Sequence, residues 1–478
     1  MSSATTQTKW AQFIPLVTVF FFWGFIAASN DILIPVFKTA FNLTQSQSQY
    51  VSIAFYVAYT IGSLLYLGIS FLIKQDIVNR LGYKNSLALG LFISAAGTLL
   101  FYPAAETGSF PLMLSGLFIV GLGFSLQQTV ANPLAISLGP INTGSQRLTL
   151  AGGINNFGTT IGPLIVSYAI FGSATSPATT VDINSVKAPY LILGAAFVIV
   201  AVFLKFSSLP NHPEVELEEE VKVVTTKTSA LQYPQLLMGM LAIFLYVGVE
   251  VSTASNLPAY LEEGLGFATS AVAPYVSLYW ASLMIGRWGG AVEAFTSDKT
   301  MQTILKVVAP YLAFGVFLGV NYIMGHELAP FYVYAVIIVV LIAADFASQG
   351  NPATMLMLFA LLGIVALLTG MFTEGTVSIY AFTSVGLFCS TLWPCIFTLA
   401  VTGLGKQTSQ GSNFLVMMIM GGGVVSYIQG AVAGAIGIHL SYIVGVICFA
   451  YLAFYAITVK GILKRQGFEL GRVSGGGH

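Results

Sequence analysis

Two carboxylates stand inside long apolar runs of this 478-residue chain: Asp31, in Ser29-Asn30-Asp31-Ile32-Leu33-Ile34-Pro35, and Glu250, in Gly248-Val249-Glu250-Val251. A charged carboxylate in a lipid-like interior costs several kcal/mol unless it meets a water-filled cavity, finds a partner or takes up a proton. Both are therefore candidates for reversible cation binding, a proton above all. The competing reading is a structural hydrogen bond, which for Glu250 could be shared with Ser252, Thr253 or Ser255 to brace the break at Pro258. The same runs carry the amides Gln127, Gln128, Asn132, Asn155, Asn156, Asn256, Asn413 and Gln429 and the rings of Trp280 and Trp393. Amides that donate and accept, set beside a ring on which an apolar face stacks, are what a neutral polyol needs. Gln128, Asn155 and Trp393 lead the substrate-binding candidates, followed by Asn132, Asn156, Trp280 and Asn413. The alternative is that such side chains only glue membrane helices together. Gln127 and Gln128 diverge by about 100° on a helix, so only one of them can face a cavity.

What positions these residues must be a stack of membrane helices. The chain is 56% hydrophobic and 8% charged, against roughly 25% charged for a soluble domain. Lipid must cover most of its surface. A net charge of zero without a basic stripe excludes nucleic acid as a partner. Cys389, Cys395 and Cys448 lack CxxC spacing and His212, His326, His439 and His478 fall in or beside polar connections, so neither a disulfide framework nor a metal site is expected. A membrane-embedded enzyme would want intramembrane histidines or clustered acids, and no Walker A pattern supports ATP-driven pumping. No enzymatic activity and no cofactor are expected.

A spanning helix needs about 20 apolar residues. Six runs meet this before residue 207, near 13 to 37, 49 to 73, 86 to 103, 110 to 138, 148 to 171 and 189 to 206. Eight more follow, near 236 to 261, 270 to 293, 302 to 324, 329 to 344, 353 to 371, 376 to 401, 412 to 436 and 440 to 460, for about fourteen in all. Between them lies a polar stretch with five glutamates from Glu214 to Glu220, the pattern of a solvated linker. Placing both termini in the cytoplasm leaves only Lys38 and Lys187 of the 18 basic residues outside, as the positive-inside rule requires. The domains expected are 1–206, a six-helix bundle; 207–235, a cytoplasmic linker; and 236–478, a second bundle.

Internal similarity sharpens this division. Tyr50-Val51-Ser52 leading to Gly62 returns as Tyr275-Val276-Ser277 leading to Gly286, an offset of 225. Val120-Gly121-Leu122 before Pro133 returns as Val385-Gly386-Leu387 before Pro394, an offset of 265. The jump of 40 is about two spanning helices, so an extra helical hairpin is expected near 302–344. Without it, six helices plus six in parallel repeat resemble the all-α membrane fold of major facilitator superfamily transporters, with substrate held at the repeat interface near the midplane.

Four motifs make the resemblance more specific. Asn30-Asp31-Ile32-Leu33-Ile34-Pro35, Thr129-Val130-Ala131-Asn132-Pro133, Asn155-Asn156-Phe157-Gly158 and Gly411-Ser412-Asn413-Phe414-Leu415-Val416-Met417-Met418 with Gly421-Gly422-Gly423 resemble the fucose/glucose/galactose symporter family. The resemblance implies cation-coupled uptake of a monosaccharide such as glucose, galactose or fucose by alternating access, in a bacterial-type plasma (inner) membrane, by a monomer. In the fucose/proton members a helix 1 aspartate matches Asp31, and a helix 4 glutamate falls where this chain has Gln128. That departure favours the hexose-type members. The alternatives are sodium in place of the proton, or a membrane sugar sensor without turnover. Lys74, Asp76, Arg80, Gly82 and Lys84 resemble the superfamily's cytoplasmic loop motif, with Arg287 a partial counterpart, either as a latch between bundles or as positive-inside anchoring. Asp345 and Glu293, at cytoplasmic helix ends, read as solvated or gate-forming.

Overall fold

The computed structural model describes residues 8–74, 77–139, 144–171, 183–211, 229–292, 298–404 and 407–468. The glutamate run of the expected linker, Asp76 and Glu293 lie outside the described residues.

Fourteen long helical segments follow one another, with no strand among the described residues. They are α1 (Trp10–Ala40), α2 (Tyr50–Leu72), α3 (Tyr83–Leu99, extended by Phe101–Glu106), α4 (Phe110–Ser137), α5 (Gly144–Phe171), α6 (Lys187–Phe206) and α7 (Pro234–Ala259). Then come α8 (Ala273–Gly290), α9 (Lys299–Ile323), α10 (Tyr334–Ser348), α11 (Pro352–Phe372), α12 (Gly375–Cys389, continued by Leu392–Val401), α13 (Gly421–Ile436, preceded by Thr408–Met417) and α14 (Ile443–Arg465). Eleven of these segments are long and apolar enough to cross a membrane, fewer than the fourteen apolar runs of the sequence. Two of the segments that fall short, α5 and α8, interrupt their apolar surface with Asn155-Asn156 and with Arg287.

Helix starts follow local chemistry. At α11 the Asn351 side chain accepts from the N–H groups of Ala353 and Thr354 at 3.1 and 3.0 Å while Pro352 takes the first turn, satisfying donors that a helix N-terminus otherwise leaves unpaired. Asp298 does the same for α9 through Thr300 N–H at 3.1 Å.

Packing repeats along the chain. In the first half α1 lies on α5, α2 on α4, and α3 on both α4 and α6. In the second, α7 lies on α13, α8 on α12, and α11 on both α12 and α14. The pattern recurs once α9 and α10 are skipped. Those two carry the ion pair Lys306–Asp345 at 3.6 Å, and α9 packs chiefly on α8.

The halves meet along two seams, α5 with α8 and α2 with α13. In the first, Ser277 Oγ donates to the Thr160 carbonyl at 2.7 Å. In the second, Gly423 lies so close to α2 that a Cβ there would come within 2.8 Å of the Ile53 Cα, a small residue letting two backbones approach. Beyond the end of α1 the halves are also tied by polar groups. Lys38 pairs with Glu263 and donates to Gln45 Oε1 at 2.7 Å, and Gln45 Nε2 donates to Asn256 Oδ1 at 3.0 Å. Tyr50 stacks on Tyr427 with centroids 5.8 Å apart. This end of the molecule is closed.

Candidate functional site

Between the halves lies a cavity of about 410 Å³, within the range of about 300–1,000 Å³ typical of small-molecule sites. It reaches towards the end that holds the start of α1 and α5 and the close of α12: Phe20, Leu148, Thr149, Val401 and Thr402 are among its lining residues. One half contributes Trp23, Tyr56, Tyr59, Gln128, Asn132 and Asn155; the other contributes Tyr246, Glu250, Trp280, Arg287 and Trp393.

The adjacent glutamines divide as helix geometry demands. Gln127 is fully buried between helices, accepting from Trp23 Nε1 at 2.9 Å and donating to Ser94 Oγ at 3.1 Å. Gln128 lines the cavity, where its Nε2 donates to the Tyr59 hydroxyl at 3.3 Å. Asn155 and Asn156 divide likewise. Asn155 lines the cavity and donates to the Phe20 carbonyl at 2.9 Å, whereas buried Asn156 accepts from Arg287 Nη1 at 2.7 Å. Asn156 and Asn413 are not among the lining residues, while Asn132, Trp280 and Trp393 are. Asn256 and Gln429 are also away from it, bonded to Gln45 and to Ser441.

Asp31 sits just behind this wall. It is 3% exposed, and its Oδ2 accepts from Trp280 Nε1 at 2.8 Å. That bond joins α1 of one half to α8 of the other, so the carboxylate and a cavity ring touch across the interface. The neighbouring Asn30 amide is buried with neither its nitrogen nor its oxygen paired. Glu250 lies on the wall itself, its turn of α7 held by the Tyr279 hydroxyl, which donates to the Glu250 carbonyl at 2.7 Å.

In the sequence Arg287 reads as a loop-motif counterpart, whereas the structure places it on the cavity wall. Its position near the end of an apolar run suits either place, and only its contacts decide: Nη1 reaches Asn156 and Nε donates to the Ser390 carbonyl at 3.3 Å. Tyr56, Tyr59 and Tyr246 also line the cavity without being singled out by the sequence. The only signal for the first two was an i, i+3 pair on α2, which places them on one helix face.

Comparison with known proteins agrees with this architecture. The sequence profile of the Major Facilitator Superfamily matches residues 16–349. The chain is 33% identical over 445 residues to a protein of Brucella abortus named glucose/galactose transporter, covering 92% of each. It is 28% identical to the L-fucose-proton symporter of Escherichia coli strain K12, over 93% of this chain and 92% of that one. A crystal structure of the Escherichia coli fucose:proton symporter superposes with a TM-score of 0.62 at 26% identity, covering 95% of this chain and 99% of that one. A repeated pattern of helix packing, a polar cavity at the seam and relatives that match nearly end to end converge: this multi-pass membrane protein belongs to the Major Facilitator Superfamily, and within it to the fucose/glucose/galactose symporter family that its helix motifs resemble.

Proposed function

We propose that the protein is a secondary active transporter that takes up a monosaccharide of the glucose/galactose class together with a proton, by alternating access. The observation that carries this reading is the Asp31–Trp280 bond at the head of a cavity walled by amides and aromatic rings. A cation-binding carboxylate and a polyol site that share a residue can each favour occupancy of the other through one conformational equilibrium. Gln128, Asn132, Asn155, Trp280 and Trp393 would contact sugar from the wall, with Asn156 supporting from behind it through Arg287. Asp31 is the coupling carboxylate, with Glu250 the second acid that could take part. With both termini in the cytoplasm of a plasma (inner) membrane, the cavity opens inward and the Lys38 end is the closed outer face. In this proposal 1–206 and 236–478 are the two moving bodies, joined by 207–235. The hairpin within 302–344 stands outside the pathway, because none of the cavity-lining residues belongs to it. One chain suffices, since both walls come from it.

Proteoliposomes loaded with unlabelled D-glucose, D-galactose or L-fucose should take up the labelled sugar by counterflow, and an inward proton gradient should then drive accumulation. Binding without counterflow would make the protein a sugar sensor instead, and accumulation that follows sodium and ignores pH would replace the proton with sodium.

A further inference from the structure

The cavity wall carries one carboxylate, Glu250, and one guanidinium, Arg287, among the described residues, with Asp31 behind Trp280 as the next charge. Glu250 on α7 and Arg287 on α8 face the same cavity from one half of the molecule. The guanidinium is fixed from both halves of the molecule, donating to Asn156 Oδ1 at 2.7 Å on α5 and to the Ser390 carbonyl at 3.3 Å in the break of α12. It lies over Gly152, where a Cβ would come within 3.2 Å of Nη1. The carboxylate side is less satisfied. Glu250 Oε2 and the Tyr246 hydroxyl lie buried on the cavity wall within reach of each other and otherwise without a hydrogen-bond partner. A carboxylate whose only neighbouring donor is one hydroxyl keeps acceptor positions that a polyol would satisfy, and a charged acceptor makes the stronger bond to a hydroxyl.

Charge balance points the same way. Carrying uncompensated charge through a closed, low-dielectric intermediate is costly. Among the described residues the cavity wall and the layer directly behind it hold two carboxylates, Glu250 and Asp31, against one guanidinium, Arg287, and the other titratable groups near them, Tyr56, Tyr59, Tyr246, Tyr279 and Cys389, are neutral in their ordinary forms. The deficit is one positive charge, which a single proton fills. Asp31 has a neutral indole as its partner where Glu250 has a resident cation, so Asp31 is the group left to receive it. When the proton is released inside, the empty carrier keeps one net negative charge, and an inside-negative potential drives that form back outward.

We propose that Glu250 and Arg287 are the ionic hydroxyl-reading pair of the sugar site, and that their mutual balance leaves Asp31 as the single proton carrier, so that one proton moves with each sugar. This rests on the sugar-symport reading above. It assigns Glu250 to substrate and withdraws it from coupling.

Reversal-potential measurements on the full chain in proteoliposomes test the stoichiometry, and a deoxy-glucose series tests the contact. Wild type should balance at one proton per D-glucose. Glu250→Gln should weaken D-glucose binding by about 10- to 100-fold, the value of a hydrogen bond to a charged group. One deoxy-glucose should bind wild type with a similar loss yet show little further loss in the variant. Arg287→Gln should stop gradient-driven accumulation, and Glu250→Gln/Arg287→Gln together should restore one-proton coupling at weakened affinity, which a merely misfolded Arg287 variant would not do. Two protons per sugar in wild type, unchanged affinity in Glu250→Gln, or no recovery in the double variant would each overturn the assignment. Absence of counterflow by wild type with any of the three sugars would instead refute the transport reading on which it rests.

Discussion

Replacing Gly423 with alanine should shift the protein out of the conformation described above without unfolding either half. The Cβ added there would stand 2.8 Å from the Ile53 Cα and 2.9 Å from the Ser52 carbonyl oxygen, whereas ordinary contacts begin near 3.4 Å. Both neighbours are backbone, so no side chain can swing aside, and α2 and α13 must part locally by about 0.6 Å. Overpacking of this kind costs about 1–3 kcal/mol. Because the two helices belong to different halves, that cost falls only on states in which the Lys38 end is closed. The ratio of closed to open should therefore drop by about 5- to 150-fold. Gly421 supplies the contrast. Its Cβ would lie 1.9 Å from the Phe244 carbonyl oxygen of α7, a neighbour in the same half, so Gly421→Ala should lower thermal stability without biasing the equilibrium. Spin labels at Thr107→Cys and Ile436→Cys, both exposed near the closed end, report the separation of the halves by pulsed dipolar spectroscopy, and the buried native cysteines are shielded from the label. A Gly423→Ala distance distribution identical to wild type would refute the reasoning, as would a shift of equal size in Gly421→Ala.

Further outcomes follow from the site. Asp31→Asn, which holds that position in the neutral form, should still exchange labelled for unlabelled sugar yet fail to accumulate it under a proton gradient; accumulation at the wild-type level would remove Asp31 from coupling. Alanine at Gln128, Asn155 or Trp393 should raise the dissociation constant for sugar, the amides by about 2- to 13-fold for one satisfied hydrogen bond, as measured by equilibrium binding; unchanged binding in all three would reject their place in the site. Lys38→Met removes both the pair with Glu263 and the bond to Gln45. Partly exposed ion pairs are worth about 0.2–1 kcal/mol, so it should open the outer face by no more than about fivefold in the same label experiment, and high salt should mimic it. Cysteines introduced along 302–344 should react equally with and without sugar, and protection by sugar would place the hairpin in the pathway.

Much of this architecture is legible in the residues because lipid imposes so few solutions. Long apolar runs announce helices, and a lone carboxylate such as Asp31 stands out because so few are tolerated there. Direction on a helix is also readable: adjacency alone says that Gln127 and Gln128 part company. What spacing cannot reveal is which neighbour a residue meets across the interface. Trp280 looks like a stacking ring until Asp31, 249 positions away, is seen to accept its N–H. Asn156 looks like a cavity amide until Arg287 claims its oxygen. Arg287 itself, near a helix end, suits a loop as well as a cavity, and only packing of α5 on α8 distinguishes them. The Asp31–Trp280 and Asn156–Arg287 contacts both join the two halves, and the sequence distance between such partners is set by loop and linker lengths that carry no chemistry.

The crowd of indoles around the cavity has a practical consequence. Of the five tryptophans in the chain, Trp23, Trp280 and Trp393 all line it, and one of them is hydrogen-bonded to an ionisable acid. Intrinsic fluorescence should therefore be dominated by the site, its intensity and emission maximum changing when a solute displaces water from the rings or when the acid gains a proton. The protein carries its own optical reporter, and Trp280→Phe separates the two signals by deleting the proton-sensitive one while leaving Trp23 and Trp393 to report on the solute.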